Sequence, residues 1–299
     1  MQPSVANSVG YTPLFVRQGL GSNSKRCLRY CGLVLGLWLT YWLLKVTLYP
    51  KPDPCVVMER ATPELETSLL PKIIHQQWMD NKPLPEKYQQ WQDKIKLHFP
   101  KHAYMLWTDE KMLEMIETDY PDFLETYINF PRNIMRVDAA RCFILHKFGG
   151  LYMDMDYEPL ENFWLRLPDQ RPAVIQSFNQ YLELTQNSLM SSPQGHTFWK
   201  YTWQLMKDRA KAGFTDPISA TGPKLIDQAM VEYERDFGPE TVKTLPCENW
   251  QRVTYGQEAM IHTIWKMFAN TVGLFKDCGN VDNHKCLLGI HHGTTMWYF

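Results

Sequence analysis

The sequence predicts an α/β domain, with a sheet flanked by helices, preceded by a single membrane-spanning helix. Three observations lead there. A nearly uncharged run close to the N-terminus is long enough to cross a bilayer. Beyond it, short apolar strands alternate with helical patterns. A helix closed by a Gly-Gly pair then runs into a strand that carries two aspartates.

The run Tyr30 to Tyr49 holds one charge, Lys45, near its end. A helix of that length spans roughly 30 Å, the thickness of a bilayer core, and Lys45 can snorkel to the interface. Arg17, Lys25, Arg26 and Arg29 precede it with no acidic residue among them. The positive-inside bias therefore predicts a cytosolic tail, 1–29, an anchor, 30–49, and a lumenal remainder. A cleaved signal peptide is the competing reading, but Thr47-Leu48-Tyr49-Pro50 lacks the small residues of a cleavage site. Residues 50–71, with five prolines, read as a stem, and 72–299 as the folded domain.

Within the domain, Lys72 to Trp78 reads as a strand, 86–98 as a helix and Ala103 to Trp107 as a second strand. This order predicts βαβ units with parallel pairing. Helices follow at 109–118 and 132–148, the second stopped by Gly149-Gly150. Later signals are weaker: a strand near 173–178, helices near 195–212 and 222–236, then irregular chain to the C-terminus.

With 31 basic and 32 acidic residues, the chain lacks the charge excess a nucleic-acid-binding surface needs. Cys27 and Cys31 lie at the membrane, and Cys142 falls in an apolar helix as a buried thiol. Cys55, Cys247, Cys278 and Cys286 remain available for disulfides in an oxidising lumen, with Cys278 to Cys286 the shortest closure.

The chemistry concentrates in Gly149-Gly150-Leu151-Tyr152-Met153-Asp154-Met155-Asp156-Tyr157. Alternation along a strand puts Leu151, Met153, Met155 and Tyr157 on one face and Tyr152, Asp154 and Asp156 on the other. Two carboxylates about 7 Å apart at Cα can share an octahedral Mg²⁺ or Mn²⁺, leaving positions for phosphate oxygens. A solvated acidic strand face would carry the same two residues. Without a cation the two carboxylates repel, so removing either is expected to leave the fold intact. On the preceding helix, the i, i+3 spacing sets Asp138 and Arg141 on one face, where a surface ion pair is the plainer reading.

Together the stretch Arg136-Val137-Asp138-Ala139-Ala140-Arg141 and Gly149 to Asp156 resembles the Asp-x-Asp sugar-binding region of glycosyltransferase family 32. The resemblance covers Pro71 to Phe163 well and extends to Asn187-Ser188-Leu189-Met190 and Gly195 to Trp199. It implies a GT-A-like, Rossmann-related, nucleotide-sugar-binding mixed sheet and a metal-dependent retaining glycosyltransferase. By that resemblance Asp156 is a direct metal ligand, and Asp154 is shared between metal and ribose. Asp138 and Arg141 grip the donor sugar, Asn187 lies near that sugar, and Trp78 lies beside the nucleotide base. His291-His292-Gly293-Thr294-Thr295-Met296-Trp297 resembles the His-rich segment that closes the metal site. Neighbouring residues of an extended chain face opposite ways, so one of the two histidines reaches the cation, and His292 is favoured. Thr221-Gly222-Pro223 resembles a loop near the acceptor, or is a plain turn before a helix.

The implied partners are a nucleotide sugar (GDP-mannose first, a UDP-hexose next), a glycan or glycolipid acceptor, and the membrane of the Golgi or endoplasmic reticulum. Double displacement would need a carboxylate nucleophile, and none is identifiable, which favours substitution on one face of the sugar. Two other readings stay open: a catalytically silent, membrane-anchored sugar-binding protein, and a metal-dependent phosphatase. The phosphatase would need an early Asp-x-Asp and a later acidic pair. This chain has its motif some eighty residues into the domain and no Asp-Asp pair.

Overall fold

The computed structural model describes residues 70–79, 82–177, 185–250, 252–253 and 287–294, together with Gly36, Trp38 and Thr40. The chain divides into two units, Met1–Asp53 and Pro54–Phe299. In the first, the three described residues are helical, and the Thr40 hydroxyl donates to the Gly36 carbonyl at 3.0 Å. The rest of the expected anchor, 30–49, lies outside the described residues, as does nearly all of the stem. Among the described residues no helix is long and apolar enough to cross a membrane.

The second unit is built on a mixed sheet. Strand β1 (Ile73–Gln77) leads to helix α1 (Glu86–His98) and strand β2 (Ala103–Trp107), the predicted βαβ unit, with β1 one residue shorter at each end than expected. Tyr88, Trp91, Gln92 and Ile95 of α1 are buried at i, i+3, i+4 and i+7, the stripe a helix needs to lie on a sheet. Helices α2 (Asp109–Asp119), α3 (Pro121–Ile128) and α4 (Asn133–Phe148) follow. Thr108 caps α2, and Pro121 opens α3 in its first turn, where a missing N–H costs nothing.

Helix α4 stops at Gly149, whose φ is +67°, and β3 (Gly150–Met153) begins at Gly150, with φ +87°. A Cβ on Gly150 would lie 2.4 Å from the Ile73 carbonyl oxygen. Only glycine lets the chain leave the helix and lie immediately against β1 here. After β4 (Tyr157–Pro159) come β5 (Ala173–Gln176), β6 (Thr185–Ser192), α5 (Phe198–Lys211), α6 (Pro217–Ala220) and α7 (Pro223–Phe237). The chain continues through β7 (Lys243–Leu245), α8 (Cys247–Trp250), β8 (Arg252–Val253) and β9 (Gly289–His291).

The larger sheet has the order β2-β1-β3-β6-β5-β7, and the smaller one β4-β9-β8. Parallel pairing, expected for the βαβ units, holds for β1 with β2 and β3, and for β5 with β7. It fails at β6, which runs antiparallel to both β3 and β5. β6 was not foreseen, and the C-terminal stretch expected to be irregular supplies β7, α8, β8 and β9.

Alternation sorts the sheet's two faces. Tyr152, Val174 and Met190 enter the core under α2, α4, α5 and α7, while Leu151, Met153, Ala173, Ile175 and Leu189 pack against Phe163, Trp164 and Leu288. The alternation ends at Met153. The Asp154 N–H makes a last bond to the Ser188 carbonyl at 2.8 Å, and Tyr157 N–H closes a turn on the Asp154 carbonyl at 3.0 Å. Met155 therefore leaves the face of Leu151 and Met153 and packs with Trp78, Tyr88 and Trp91. Cys142 is a free, buried thiol as expected, and Cys247 is disulfide-bonded. The Cys278–Cys286 expectation lies wholly outside them.

Candidate active site

Parallel strands β1 and β3 end side by side, and ligand sites in such sheets lie beyond the carboxyl ends of the strands. Gln76, Gln77 and Trp78 emerge there from β1, and Asp154 from β3. The 154–157 turn brings Asp156 back beside Asp154. Strand β9, paired to β4, carries His291 to the same place. Gly289 permits this crossing, because a Cβ there would lie 2.2 Å from the Tyr157 hydroxyl.

Ligand atoms of Asp154, Asp156 and His291 all lie within 4.8 Å of one another. His291 Nε2 is 3.2 Å from Asp156 Oδ1 and 3.9 Å from Asp154 Oδ2. The other oxygen of each carboxylate is already committed. Asp156 Oδ2 accepts from the Thr294 N–H at 2.7 Å and from its hydroxyl at 2.8 Å. Asp154 Oδ1 accepts from the Tyr152 hydroxyl at 2.7 Å and lies 3.3 Å from Arg141 Nη2. Arg141 also faces Asp138 Oδ1 at 3.4 Å and donates to the Asn187 carbonyl at 2.9 Å, while Asn187 Nδ2 donates to Asp138 Oδ1 at 2.9 Å.

Burial and charge pull these groups in different directions. Burial pushes the Asp138 carboxyl up to about 6, against the opposing pull of Arg141 and bonds from Asn187 and Thr221. Burial likewise raises Asp154, helped by the neighbouring Asp156. Asp156 is also buried, yet its bond and ion pair with His291 and two bonds from Thr294 hold it down to about 2. Burial disfavours the His291 imidazolium, but the facing carboxylates outweigh this and raise the histidine.

These residues fit a divalent cation. Two carboxylate oxygens and an imidazole nitrogen converge, a donor set that suits Mn²⁺ or Mg²⁺. Asp138 and Asp154 share the one Arg141 guanidinium, and Asp156 faces His291, so three carboxylates gather around two basic groups. His291 Nδ1 is buried without a hydrogen-bond partner among the described residues, a polar cost unexplained by the fold alone.

Of the expected site residues, Asp138, Arg141, Asp154, Asp156, Asn187 and His291 come together. His292, the favoured histidine, turns away: its Nε2 pairs with Glu158 at 2.7 Å and its ring stacks on Trp91 at 4.2 Å. The reason is the antiparallel β4–β9 register, which sets His291 opposite Tyr157 and leaves its neighbour on Glu158, whose other oxygen meets Lys94. Trp78 is buried, with its ring 5.2 Å from Tyr88 and its N–H donating to the Lys82 carbonyl at 2.8 Å. It packs beside the site rather than opening into it. Sequence reasoning gave no role to Gln77, Tyr88, Tyr152, Glu158 or Thr294. Tyr152 was on the correct strand face, Gln77 and Thr294 were polar residues within quoted stretches, and Tyr88 and Glu158 carried no signal.

Residues 85–177 match the family described as "Glycosyltransferase sugar-binding region containing DXD motif". In this segment, about a third of the chain, the protein is similar to the DXD glycosyltransferases. Inositol phosphoceramide mannosyltransferase 3 of Schizosaccharomyces pombe is 41% identical over 142 residues, which are 44% of this chain and 36% of that protein. Mannosyl phosphorylinositol ceramide synthase SUR1 of Saccharomyces cerevisiae is 29% identical over 221 residues, 70% of this chain and 55% of that one. The matched part of the chain thus spans between about a third and just over half the length of these curated relatives. Among solved structures, "PaToxG Glycosyltransferase" superposes with a TM-score of 0.46 at 14% identity, over 68% of this chain and 79% of that one. In the DXD segment of this chain the two aspartates of the motif are Asp154 and Asp156.

Proposed function

We propose that this chain is a glycosyltransferase that moves mannose from a nucleotide sugar, GDP-mannose, to a glycolipid acceptor of the inositol phosphoceramide class. The observation that carries it is the convergence of Asp154, Asp156 and His291 within 4.8 Å, beside the Asp138–Arg141–Asn187 cluster. The acceptor and sugar follow from what the relatives are named for. Mn²⁺, or Mg²⁺, would be held through Asp154 Oδ2, Asp156 Oδ1 and His291, and when bound would neutralise charge on a departing diphosphate.

The chain's own residues do the rest. Arg141 and Asp138, fixed to each other and to Asn187, offer a charged grip for sugar hydroxyls whose geometry is set before binding. Each carboxylate of the site is engaged: Asp138 by Arg141 and Asn187, Asp154 by Tyr152 and Arg141, Asp156 by Thr294 and His291. The oxygens left over, Asp154 Oδ2 and Asp156 Oδ1, are those a cation would take, which supports retention by substitution on one face of the sugar. Cys247, already in a disulfide, supports a domain in the oxidising lumen of the secretory pathway, behind the anchor at 30–49.

The test is transfer by the full-length chain in detergent. GDP-mannose, UDP-galactose and UDP-glucose are offered in turn with Mn²⁺ and inositol phosphoceramide, and the lipid is weighed by mass spectrometry. A single added hexose with GDP-mannose alone, lost with chelator, is expected. Transfer from a UDP-hexose instead would overturn the donor, and Mn²⁺ binding with no turnover of any donor would overturn the transferase.

A further inference from the structure

Gln77 lies at the end of β1, 1% exposed, with four polar contacts. Its Oε1 accepts from Arg141 Nε at 3.1 Å and from the Tyr152 hydroxyl at 2.9 Å. Its Nε2 donates to the Val137 carbonyl at 3.0 Å and sits 3.0 Å from Met112 Sδ. The amide has one possible orientation. Arg Nε–H can only donate and a carbonyl can only accept, so turning the amide over would set donor against donor and acceptor against acceptor. The side chain therefore ties three elements together in a fixed sense: β1, helix α4 through Val137 and Arg141, and β3 through Tyr152.

Both donors that meet Gln77 Oε1 also meet Asp154. The Tyr152 hydroxyl is 2.7 Å from Asp154 Oδ1, and Arg141 Nη2 is 3.3 Å from the same oxygen. Tyr152 has one proton and two acceptors in reach, and in either state the ring is held between them. Arg141 closes the triangle, its guanidinium carbon 4.8 Å from the centre of the Tyr152 ring. The carboxylate of Asp154 is thereby held by one edge, and its other oxygen, Oδ2, is the one turned toward His291 Nε2. Gln76 supports the same residue from the backbone side, with Nε2 donating to the Asp154 carbonyl at 3.0 Å.

We infer that Gln77 is a positioning residue that, through Arg141 and Tyr152, decides which oxygen of Asp154 is presented to a divalent cation. This deepens the transferase reading and rests on it only for the meaning of the cation. A buried polar side chain that merely completes the core would affect folding and leave cation affinity alone.

Two variants of the full-length chain separate these roles. Gln77→Met keeps the volume and the contact with Met112 but removes the acceptor. Gln77→Glu keeps an acceptor for both donors. The probe is Mn²⁺ alone, titrated without nucleotide and followed by electron paramagnetic resonance of the free ion. Gln77→Met is expected to bind Mn²⁺ about 10-fold more weakly, the lower end of what loss of outer-shell support costs a metal site. Gln77→Glu is expected to bind at least as tightly as the native chain. Native affinity in folded Gln77→Met, or equal weakening in both variants, overturns the inference, as does a native chain that binds no Mn²⁺. Should Gln77→Met not fold, Tyr152→Phe, which loses one hydroxyl, decides: weaker binding supports the route and native affinity rejects it. Failure of both to fold makes the cluster structural and rejects it too. Expected Mn²⁺ behaviour in a chain that turns over no sugar nucleotide would sink the transferase reading and leave the role of Gln77 standing.

Discussion

Replacing Asp156 by alanine perturbs two quantities that the structure ties together. The carboxylate is held ionised down to about 2 because His291 Nε2 and two Thr294 donors outweigh the cost of burial. Against an ordinary value of 3.8, the depression is equivalent to about 2 kcal/mol in favour of the folded, ionised state. A depressed carboxyl contributes this stability fully above its unfolded value, and loses it as pH falls through the folded one. At neutral pH the metal-free variant therefore forfeits it. Part is offset, because Asp154 no longer faces a second negative charge. A net loss of about 1 kcal/mol corresponds to a fall in Tm of about 2–4 °C for a domain of this size. The fold is still expected to survive, but for Asp156 the bonds from Thr294 and His291 oppose the relief of repulsion. With Mn²⁺ present, transfer should fall by roughly 10²-fold or more, the order expected on losing stabilisation of a leaving group. The assays are thermal unfolding in chelator and initial rates with saturating Mn²⁺. A variant that melts above the native chain in chelator would refute the energetic argument. Native rates in a well-folded variant, or full native activity in excess chelator, would remove the cation from the mechanism.

Three further outcomes are expected. His75 is buried, accepting from Trp107 Nε1 at Nδ1 (3.1 Å) and bonding Gly149 O through Nε2 (2.9 Å), and burial lowers it from 6.5 to about 4 despite the Gly149 bond. A base lowered by folding gives stability that is complete above pH 6.5 and is lost as pH falls toward 4, here about 3 kcal/mol. Unfolding of the native chain should show that loss relative to His75→Gln, and parallel pH profiles would disprove it. Non-reducing peptide mapping should find Cys247 joined to Cys55, Cys278 or Cys286, with Cys142 alkylated only after unfolding; a free Cys247 in protein from the secretory pathway would contradict this. Protease added to sealed microsomes should spare everything beyond Pro50, and digestion of 72–299 without detergent would reverse the proposed topology.

The first half of the domain was legible because its signals are local. The stripe of α1, the short apolar run of β2, and the glycines after α4 each encode their element within a dozen residues. The second half depends on distant pairing. β6 reads as a polar stretch, Thr185-Gln186-Asn187-Ser188, and becomes a strand because β3 and β5 lie on either side of it. β9 is three residues held by β4 and β8, with nothing in its own composition to announce a strand. The same dependence misled the choice of histidine. Alternation correctly says that only one of the pair can face the aspartates, but which one is fixed by the register of β9 on β4.

The site was legible at the level of residue type and illegible at the level of individual atoms, and the second level carries the chemistry. An Asp-x-Asp announces two carboxylates near one another. It does not say that the strand ends at Met153, nor that the following turn, rather than the pleat, returns Asp156 to the side of Asp154. It also cannot say which oxygens are spent. Tyr152 and Arg141 take Oδ1 of Asp154, and Thr294 takes Oδ2 of Asp156, so each aspartate has a single oxygen left toward His291. Three protein donors, one from each residue, leave about three of the six positions of an octahedral ion for other oxygens. A pocket built to close around a cation would engage both oxygens of at least one carboxylate. This one commits the outer oxygens to the protein, so a cation held here would keep part of its coordination sphere open for a ligand that brings oxygens of its own.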